Sequence, residues 1–490
     1  MFEEAESDPK LAKKTFDLQE PRLRTALLNA QYALLNRADR TLLVVVAGIA
    51  GSGKGDTVNL MNEWMDPRHI HTLAFGMPTT EEAQYPPCWR YWNALPAKGR
   101  IGIVFGSWYT PLLKEAARKR PDAERISQEI EHVRRFEAEL AANGVQIVKL
   151  WFHLSASAQA ERTKALLSSP ETAWQVVPED LKVPKKYDRL RNAGMTVIER
   201  TDLPHAPWTV VPSADAQLRH LRTAEALLAA LRRRRAPLPA RASALAADKP
   251  ARVADRLGEL NYSACLDKND YDTELGLMQG RLAQATRSAK FHAGHSLVLV
   301  FEGQDAAGKG GAIRRVTRAL DARQFEITPV SAPNAEELAH PYLWRFWRHV
   351  PKPGRIAIFD RSWYGRVLVE RVEGYAEPAE WGRAYGEIND FEAQMADNGT
   401  VVLKFWLAVT RDVQLARFKE REHSPFKNFK ITPDDWRNRK RWKDYAQAAN
   451  DMLARTNMPA APWHLISAND KRYARLQVLR HIVEAMEARL

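Results

Sequence analysis

The sequence repeats itself, and this repeat constrains the fold more than any other feature of the chain. At an offset of 255 residues the two halves of the 490-residue chain align without a gap. The tripeptide Ser-Trp-Tyr at 107–109 recurs at 362–364, and the match extends over residues 11–235 and 266–490. A unit of about 225 residues is far longer than a solenoid repeat and has the size of a whole domain. The sequence therefore predicts two copies of one domain.

The segment between the copies has a different composition. Residues 232–253 are rich in Arg, Pro and Ala and show no hydrophobic periodicity, which is typical of a linker. We predict an N-terminal domain over 1–235, a basic linker over 236–253 and a C-terminal domain over 254–490.

Within each copy, amphipathic helices alternate with short apolar segments. Unbroken apolar strands between helices predict an α/β fold, in which helices cover both faces of a parallel sheet. Ligands of such sheets bind at the carboxyl ends of the strands. In the second copy the predicted strands lie at 296–303, 325–330, 355–360, 400–409 and 463–467.

A glycine-rich loop follows the first strand of each copy. Residues 303–309 fit the pattern GxxxxGK, directly after an apolar strand and before a helix, which is the context of a phosphate-binding loop. Backbone N–H groups and the helix N-terminus attract the phosphate, and Lys309 reaches the transferred phosphoryl group. A tight structural turn would explain the glycines but not the lysine. The expected phosphate-binding residues here are Gly303, Gly308, Lys309, Gly310 and Gly311.

One departure from the usual loop affects the metal. Gly310 stands where a typical loop has the Ser or Thr that holds Mg²⁺. We expect Asp305, inside the loop, and Asp360, at the end of the third strand, to hold the metal instead. Arg361 is placed to clamp a phosphoryl group. The alternative for Asp360 is a helix cap or an ion pair with Arg361.

Two further regions are candidates for phosphate contacts. Residues 411–445 contain 11 Lys and Arg against six Asp and Glu, which suits a helical lid that closes over phosphates, although a solvated helix face is the alternative. Arg345 lies in an aromatic helix before the third strand and is a candidate for binding the acceptor phosphate. Structural packing explains the tryptophans of that helix equally well.

The two copies differ at the residues that carry chemistry. Lys309 has a counterpart in Lys54, but Ala50, Phe105 and Gly106 replace Asp305, Asp360 and Arg361. Metal-dependent phosphoryl transfer needs the carboxylates. We therefore expect the C-terminal copy to be catalytic, and the N-terminal copy to be structural or to bind a polyanion through Lys54.

Composition narrows the class of protein. The net charge of +13 favours a polyanionic partner, and 45% apolar residues exclude wholesale disorder. Two cysteines cannot form a disulfide framework, so a reducing cytosol is expected. The acidic N-terminus does not resemble a signal peptide, and the apolar runs are far shorter than the roughly 20 residues of a membrane span.

Four segments resemble the polyphosphate kinase 2 family: GQDAAGKGG, FDRSWYGR, SPFKNFKITPDDWRNRKRWKDY and APWHLISANDKRYAR. The resemblance implies two tandem P-loop kinase domains, similar to thymidylate kinase, each with a helical lid. It assigns the metal to Asp305 and Asp360, and the phosphoryl contacts to Lys309 and Arg361. It also implies that lid residues Arg421, Lys427 and Lys430 face phosphates.

The resemblance also implies an activity. Fused members with one degenerate site transfer the terminal phosphoryl group of polyphosphate to AMP, with Mg²⁺, and produce ADP. ADP as the acceptor, GMP as a further acceptor, and an ATP-using nucleotide kinase are alternatives that the residues leave open. A nucleic-acid-binding P-loop protein is disfavoured, because binding alone does not need both carboxylates. We expect a cytoplasmic protein with no membrane or specific nucleic-acid partner, and the oligomeric state is left open.

Overall fold

The computed structural model describes residues 1–178, 180–233, 253–425 and 431–490. The chain divides into two compact units. The first comprises Met1–Pro78, the described part of Tyr91–Ala240, and Asn334–Trp344. The second comprises Thr79–Arg90, the described parts of Arg241–Pro333, and those of Arg345–Leu490.

The N-terminal half is built around a parallel sheet of five strands in the order β2-β3-β1-β4-β5. The strands are β1 (Thr41–Gly48), β2 (Ile70–Ala74), β3 (Ile101–Phe105), β4 (Val145–His153) and β5 (Trp208–Pro212). The helices of this half are α1 (Glu3–Glu6), α2 (Lys13–Arg37), α3 (Lys54–Trp64), α4 (Trp89–Asn93), α5 (Tyr109–Ala116), α6 (Ala123–Ala142), α7 (Ala156–Leu167), α8 (Pro170–Ala173), α9 (Tyr187–Thr201) and α10 (Ala216–Arg232).

The C-terminal half contains a second parallel sheet, ordered β10-β9-β6-β8-β7. Its strands are β6 (Ser296–Gly303), β7 (Phe325–Pro329), β8 (Ile356–Asp360), β9 (Thr400–Ala408) and β10 (Trp463–Ser467). The helices are α11 (Lys268–Thr286), α12 (Ala289–Gly294), α13 (Lys309–Thr317), α14 (Ala335–Leu338), α15 (Trp344–Trp347), α16 (Val369–Glu373), α17 (Pro378–Asp397), α18 (Arg411–Glu422), α19 (Pro433–Lys440), α20 (Trp442–Thr456) and α21 (Lys471–Arg489).

The predicted repeat and the predicted α/β class are confirmed. Each strand of the first sheet recurs 255 residues later with the same length, and the two strand orders correspond. The expected strands of the second copy are all present, within one residue of their expected bounds. Among the described residues, no helix is both long and apolar enough to cross a membrane.

The centre of each sheet is buried on both faces, which explains the unbroken apolar runs of the sequence. Every residue of β9 is buried, and so are the first seven residues of β6. In the second copy, one face packs against α11, α13 and α21, through residues such as Leu282, Ile313 and Ile482. The other face is covered by α17, whose Phe391 meets Trp347 and Trp363 edge to face.

A buried ion pair lies between this face of the sheet and α17. The ammonium of Lys404, in the middle of β9, donates to Glu392 at 2.6 Å, to the Tyr364 hydroxyl at 2.9 Å and to the Thr456 carbonyl at 2.7 Å. The indole of Trp363 donates to the other Glu392 oxygen at 3.0 Å. All three donors of the buried ammonium are therefore satisfied, as a buried charge requires.

The same arrangement occurs in the first copy. Lys149 lies 2.8 Å from Glu137 and also donates to the Tyr109 hydroxyl and the Thr201 carbonyl. The repeated Ser-Trp-Tyr tripeptide is thus part of the scaffold of both copies, because its Trp and Tyr bond the buried carboxylate.

The first prediction concerns this buried pair. Lys404→Met removes the cation and leaves Glu392 buried without its counter-charge, so we expect a loss of about 3–5 kcal/mol of stability. Glu392→Gln in the same chain removes the orphaned charge and should recover part of that loss. Urea unfolding of both variants checks this, and a Lys404→Met protein within about 1 kcal/mol of wild type would contradict the structural role.

Candidate active site

The phosphate-binding loop of the second copy joins β6 to α13. Gly303 has φ +134°, and a Cβ there would lie 2.1 Å from the Leu407 carbonyl oxygen on the neighbouring strand. Gly308 has φ +106° and precedes the first helical residue, Lys309. Only glycine fits both requirements, so these two residues set the path of the loop. Gly310 and Gly311 lie in the first turn of α13, where backbone N–H groups point toward the loop.

Lys309 folds back over the loop. Its ammonium donates to the Gly303 carbonyl at 2.9 Å and to the Gln304 carbonyl at 3.4 Å. Burial and the charge of Arg361 lower the pKa of Lys309, while the carboxylates of Asp305 and Asp360 oppose that shift. The structure therefore brings Asp305, Asp360 and Arg361 close to the Lys309 ammonium.

Asp305 is the most heavily contacted of the carboxylates. Arg361 donates from Nη2 to one oxygen at 2.9 Å, and Asn438 of α19 donates from Nδ2 to the other at 3.0 Å. Gln414 of α18 donates to the Asp305 backbone carbonyl at 3.1 Å. Two lid helices thus contact the loop at its acidic residue.

A third carboxylate was missed by sequence reasoning. Glu302, next to the last residue of β6, is buried and accepts a 2.7 Å hydrogen bond from the Ser362 hydroxyl. Burial raises the pKa of Glu302, and Lys309 and Arg361 oppose that rise. The signal was present in the sequence, because Glu302 is an acid in an apolar strand and Ala47 occupies its place in the first copy.

Two residues of the site have left-handed backbones without being glycine. Arg361 has φ +65° and Ala306 has φ +61°. The corresponding residues of the first copy are both glycine, Gly106 at φ +66° and Gly51 at φ +77°. A left-handed non-glycine residue costs roughly 1–2 kcal/mol. The second copy therefore holds Arg361 in a strained conformation that the first copy does not need.

A cavity opens beside the loop, within the second unit. Its polar lining comes from the loop, Arg361 and Asn438. The rest of the lining is mainly apolar and aromatic and includes Leu368, Val369, Trp406, Trp442, Tyr445 and Ala446. Polar groups at a phosphate-binding loop together with apolar and aromatic side chains suit a ligand with phosphate and ring moieties.

The remaining predicted residues that the structure describes, Arg345 and Arg421, do not line the cavity. Arg345 donates to the Ser331 carbonyl at 3.1 Å and stacks on Phe346. Arg421 is the penultimate residue of α18, near Arg417, whose guanidinium holds the loop by donating to the Ala306 and Ala307 carbonyls. Lys427 and Lys430 lie outside the described residues.

The first copy keeps the loop and its lysine, but it lacks the carboxylates and the arginine that surround the loop in the second copy. Lys54 donates to the Ile49 carbonyl at 2.6 Å, and burial lowers its pKa to about 8. Buried Arg219 packs against Gly53. The residue of the second copy that corresponds to Arg219 is Ala474. The residues that match the three carboxylates of the second copy are Ala47, Ala50 and Phe105.

A phosphate-binding loop at the carboxyl end of a central parallel strand, with an aspartate ending the adjacent strand, defines the class of P-loop kinases. The family model of polyphosphate kinase 2 matches residues 10–238 and 265–490. The chain belongs to the polyphosphate kinase 2 family, as its sequence motifs predicted.

Relatives of known name match the full chain. A polyphosphate:AMP phosphotransferase of Pseudomonas aeruginosa is 48% identical over 100% of this chain and 99% of its own length. The protein of that name from Acinetobacter johnsonii is 41% identical over 96% of this chain and 97% of its own. A crystal structure of a Pseudomonas aeruginosa polyphosphate kinase 2 superposes with a TM-score of 0.87, at 46% identity, over 100% of this chain and 99% of that one.

The second prediction separates the strain at Arg361 from its chemistry. Arg361→Gly loses a half-exposed ion pair worth at most about 1 kcal/mol and relieves about 1 kcal/mol of left-handed strain. We expect a melting temperature within about 2 °C of wild type and a loss of phosphotransfer of about 10³-fold.

Arg361→Ala is the matched control, since it loses the same ion pair but keeps a Cβ. It should be about 1 kcal/mol less stable than the glycine variant and equally inactive. Equal stabilities of the two variants would show that the backbone is not strained there.

Proposed function

We propose that the protein transfers the terminal phosphoryl group of inorganic polyphosphate to AMP, producing ADP, at the loop of its C-terminal copy. Full-length similarity to relatives named for this reaction carries the proposal, because those relatives share both copies of the domain. The single-copy relative named ADP-polyphosphate phosphotransferase, from Pseudomonas aeruginosa, is 38% identical and matches only 46% of this chain.

In this proposal the loop holds the transferred phosphoryl group. The phosphate oxygens bind at the turn formed by Gly303, Gly308, Gly310 and Gly311, at the N-terminus of α13, and Lys309 supplies a partly desolvated charge. Arg361 adds a second cation that contacts Asp305 before substrate binds.

The donor set of the site suits Mg²⁺. Among the described residues no group of three or more His, Cys, Asp or Glu forms a complete metal cage. Mg²⁺ is usually held by one or two carboxylates together with phosphate oxygens and waters, and Asp305 and Asp360 provide such a pair. When bound there, Mg²⁺ would neutralise charge on the phosphate oxygens of donor and acceptor.

The attacking group needs little activation. The phosphate of AMP is anionic at neutral pH, so no strong general base is required, and positioning with charge neutralisation supplies most of the catalysis. Lys309 and Arg361 stabilise charge that develops on the transferred group. The apolar and aromatic side chains that line the cavity offer a stacking surface to the adenine.

The excess of basic residues is consistent with polyphosphate as donor. A net charge of +13 attracts a long polyanion in the way that a basic groove attracts a nucleic-acid backbone. We propose that lid residues Arg421, Lys427 and Lys430 contact polyphosphate. The cytoplasmic location stays a prediction.

Division of labour between the copies gives the third prediction. Asp305→Asn or Asp360→Asn should lower turnover by roughly 10³-fold or more, because the metal loses a ligand. Lys309→Met should be similarly inactive, whereas Lys54→Met, its matched variant in the first copy, should keep most of the activity. The assay is ADP formation from AMP and polyphosphate, with no nucleoside triphosphate added.

Two results would contradict this assignment. A folded Lys54→Met protein as inactive as Lys309→Met would show that both copies work. Phosphorylation of AMP by ATP but not by polyphosphate would support the alternative, an ATP-using kinase on the same fold.

The fourth prediction concerns the acceptor. We expect kcat/KM for AMP to exceed that for ADP by at least about tenfold, or about 1.4 kcal/mol, which one charged hydrogen bond can supply. Arg345→Ala should lower kcat/KM for AMP and leave the polyphosphate KM unchanged. Comparable kcat/KM values for AMP and ADP would contradict the preference for AMP and favour the alternative of an ADP-phosphorylating enzyme. They would not affect the proposal that polyphosphate is the donor.

A further inference from the structure

Both oxygens of the Asp305 carboxylate are held by protein donors, one from beside the loop and one from the lid. Arg361 contacts Oδ1 at 2.9 Å, and the Asn438 amide contacts Oδ2 at 3.0 Å. A carboxylate oxygen has two lone-pair sites, so each oxygen can accept this bond and still bind a cation. The two donors thus orient the carboxylate and leave a lone pair on each oxygen for a cation.

The orientation of the Asn438 amide is itself determined. The Tyr445 hydroxyl of α20 lies 3.1 Å from Asn438 Oδ1 and 3.2 Å from Glu373 Oε1. Since a carboxylate can only accept, Asp305 requires the amide NH₂ on its side, and the amide oxygen then faces Tyr445. The hydroxyl has one proton, so Asn438 Oδ1 and Glu373 Oε1 share it. Glu373 is nearly buried and pairs with Arg437 at 3.1 Å.

The first copy shows that the scaffold does not need this network. The offset of 255 residues holds on both sides of α19, since α18 and α20 match α7 and α9 residue for residue. The described counterpart of α19 itself contains only a short 3-10 helix, Asp180–Lys182. Asp305, Asn438, Tyr445 and Glu373 correspond to Ala50, Val183, Leu190 and Arg118. All four polar groups are absent together, although the buried Lys–Glu pair is kept. Their joint absence ties the network to the carboxylate and not to the fold.

We propose that Asn438 is a positioning residue for phosphoryl transfer: it orients the Asp305 carboxylate from the lid. The Tyr445 hydroxyl supports Asn438 through a proton that Asn438 Oδ1 shares with Glu373 Oε1. The assignment rests on the proposed function, in which Asp305 holds the metal. It also couples the lid to the loop, because α19 carries the donor that sets the carboxylate. Asn438 contacts no substrate in this role and acts through Asp305.

The contact is tested first, by a double-mutant cycle that needs no activity. Asn438→Asp puts two carboxylates about 3 Å apart, so the melting temperature in EDTA should fall by about 3 °C. Adding Asp305→Asn restores an amide–carboxylate pair with its donor reversed. The double variant should then melt within about 1 °C of Asp305→Asn alone. Additive effects would mean that the contact does not exist and would overturn the proposal.

Kinetics then test the role. Asn438→Val, which installs the residue of the first copy, and Tyr445→Phe should each lower kcat about tenfold or more with the polyphosphate KM within about threefold of wild type. Tyr32→Phe is the matched control, since it removes a tyrosine hydroxyl bonded to the Asp66–Arg68 pair of the first copy. It should leave kcat unchanged.

The outcomes separate this proposal from the proposed function. A coupled cycle with wild-type kcat in folded Asn438→Val would show that the contact has no catalytic role and would overturn the proposal. Wild-type protein that does not phosphorylate AMP from polyphosphate would refute the proposed function alone. The same variants would then be assayed with whichever donor and acceptor the wild type uses, and the same loss of kcat would be required.

Discussion

The C-terminal site depends on the interactions of one lysine ammonium, which is partly withdrawn from water at the phosphate-binding loop. Lys309 is half-buried, and its nearest partners are backbone carbonyls of the loop. Desolvation disfavours its charge, and the carboxylates of Glu302, Asp305 and Asp360 counter that effect. Lys54 lies in a similar loop, where Asp180 is the described acid that counters desolvation, and its pKa falls to about 8. The acids of the second copy therefore help to keep the lysine charged, besides any role with a metal.

The left-handed residues show what this arrangement requires of the backbone. The turn after the third strand of each copy has φ near +65°, and glycine is the residue that adopts this without strain. The first copy has Gly106 there, whereas the second places Arg361, whose side chain reaches Asp305. Residues in sparsely populated backbone conformations persist where the surrounding structure holds them, and they are concentrated at functional sites. The Arg361 backbone N–H bonds the Phe301 carbonyl, which helps to hold it.

The sequence was sufficient to predict the sheets and the loop, for identifiable reasons. Strands of this fold are continuous apolar runs, and the repeat allowed each to be recognised twice. Asp360 ends β8 and Arg361 follows it. Asp305 lies in the loop that follows β6 and Lys309 begins the next helix, so the topology alone brings these residues to one edge of the sheet.

Contacts made by side chains from distant segments could not be predicted in this way. Asn438 reaches Asp305 across 133 residues, and its partner depends on how the lid helices pack. Glu302 was overlooked because a single acid in an apolar strand has no motif. Arg345 is in the short aromatic helix that the sequence indicated, but its guanidinium contacts Ser331 and Phe346. Its proposed role at the acceptor phosphate therefore remains a prediction.

Comparison of the two copies separates residues that hold the fold from residues that perform the reaction. The buried pairs Lys149–Glu137 and Lys404–Glu392 are present in both copies, with the same Trp and Tyr partners. Removing one member of such a pair leaves an uncompensated charge in the core, at a cost of about 3–5 kcal/mol, so both copies need it. The side chains that contact the Asp305 carboxylate, and those of the Tyr445–Glu373 pair behind Asn438, are different, because their counterparts in the first copy are apolar, are glycine, or have the opposite charge. A domain can lose such groups without unfolding, since they lie at the cavity and not between the sheet and its helices. The chain thus contains a folded copy of the domain that lacks these groups and keeps the scaffold.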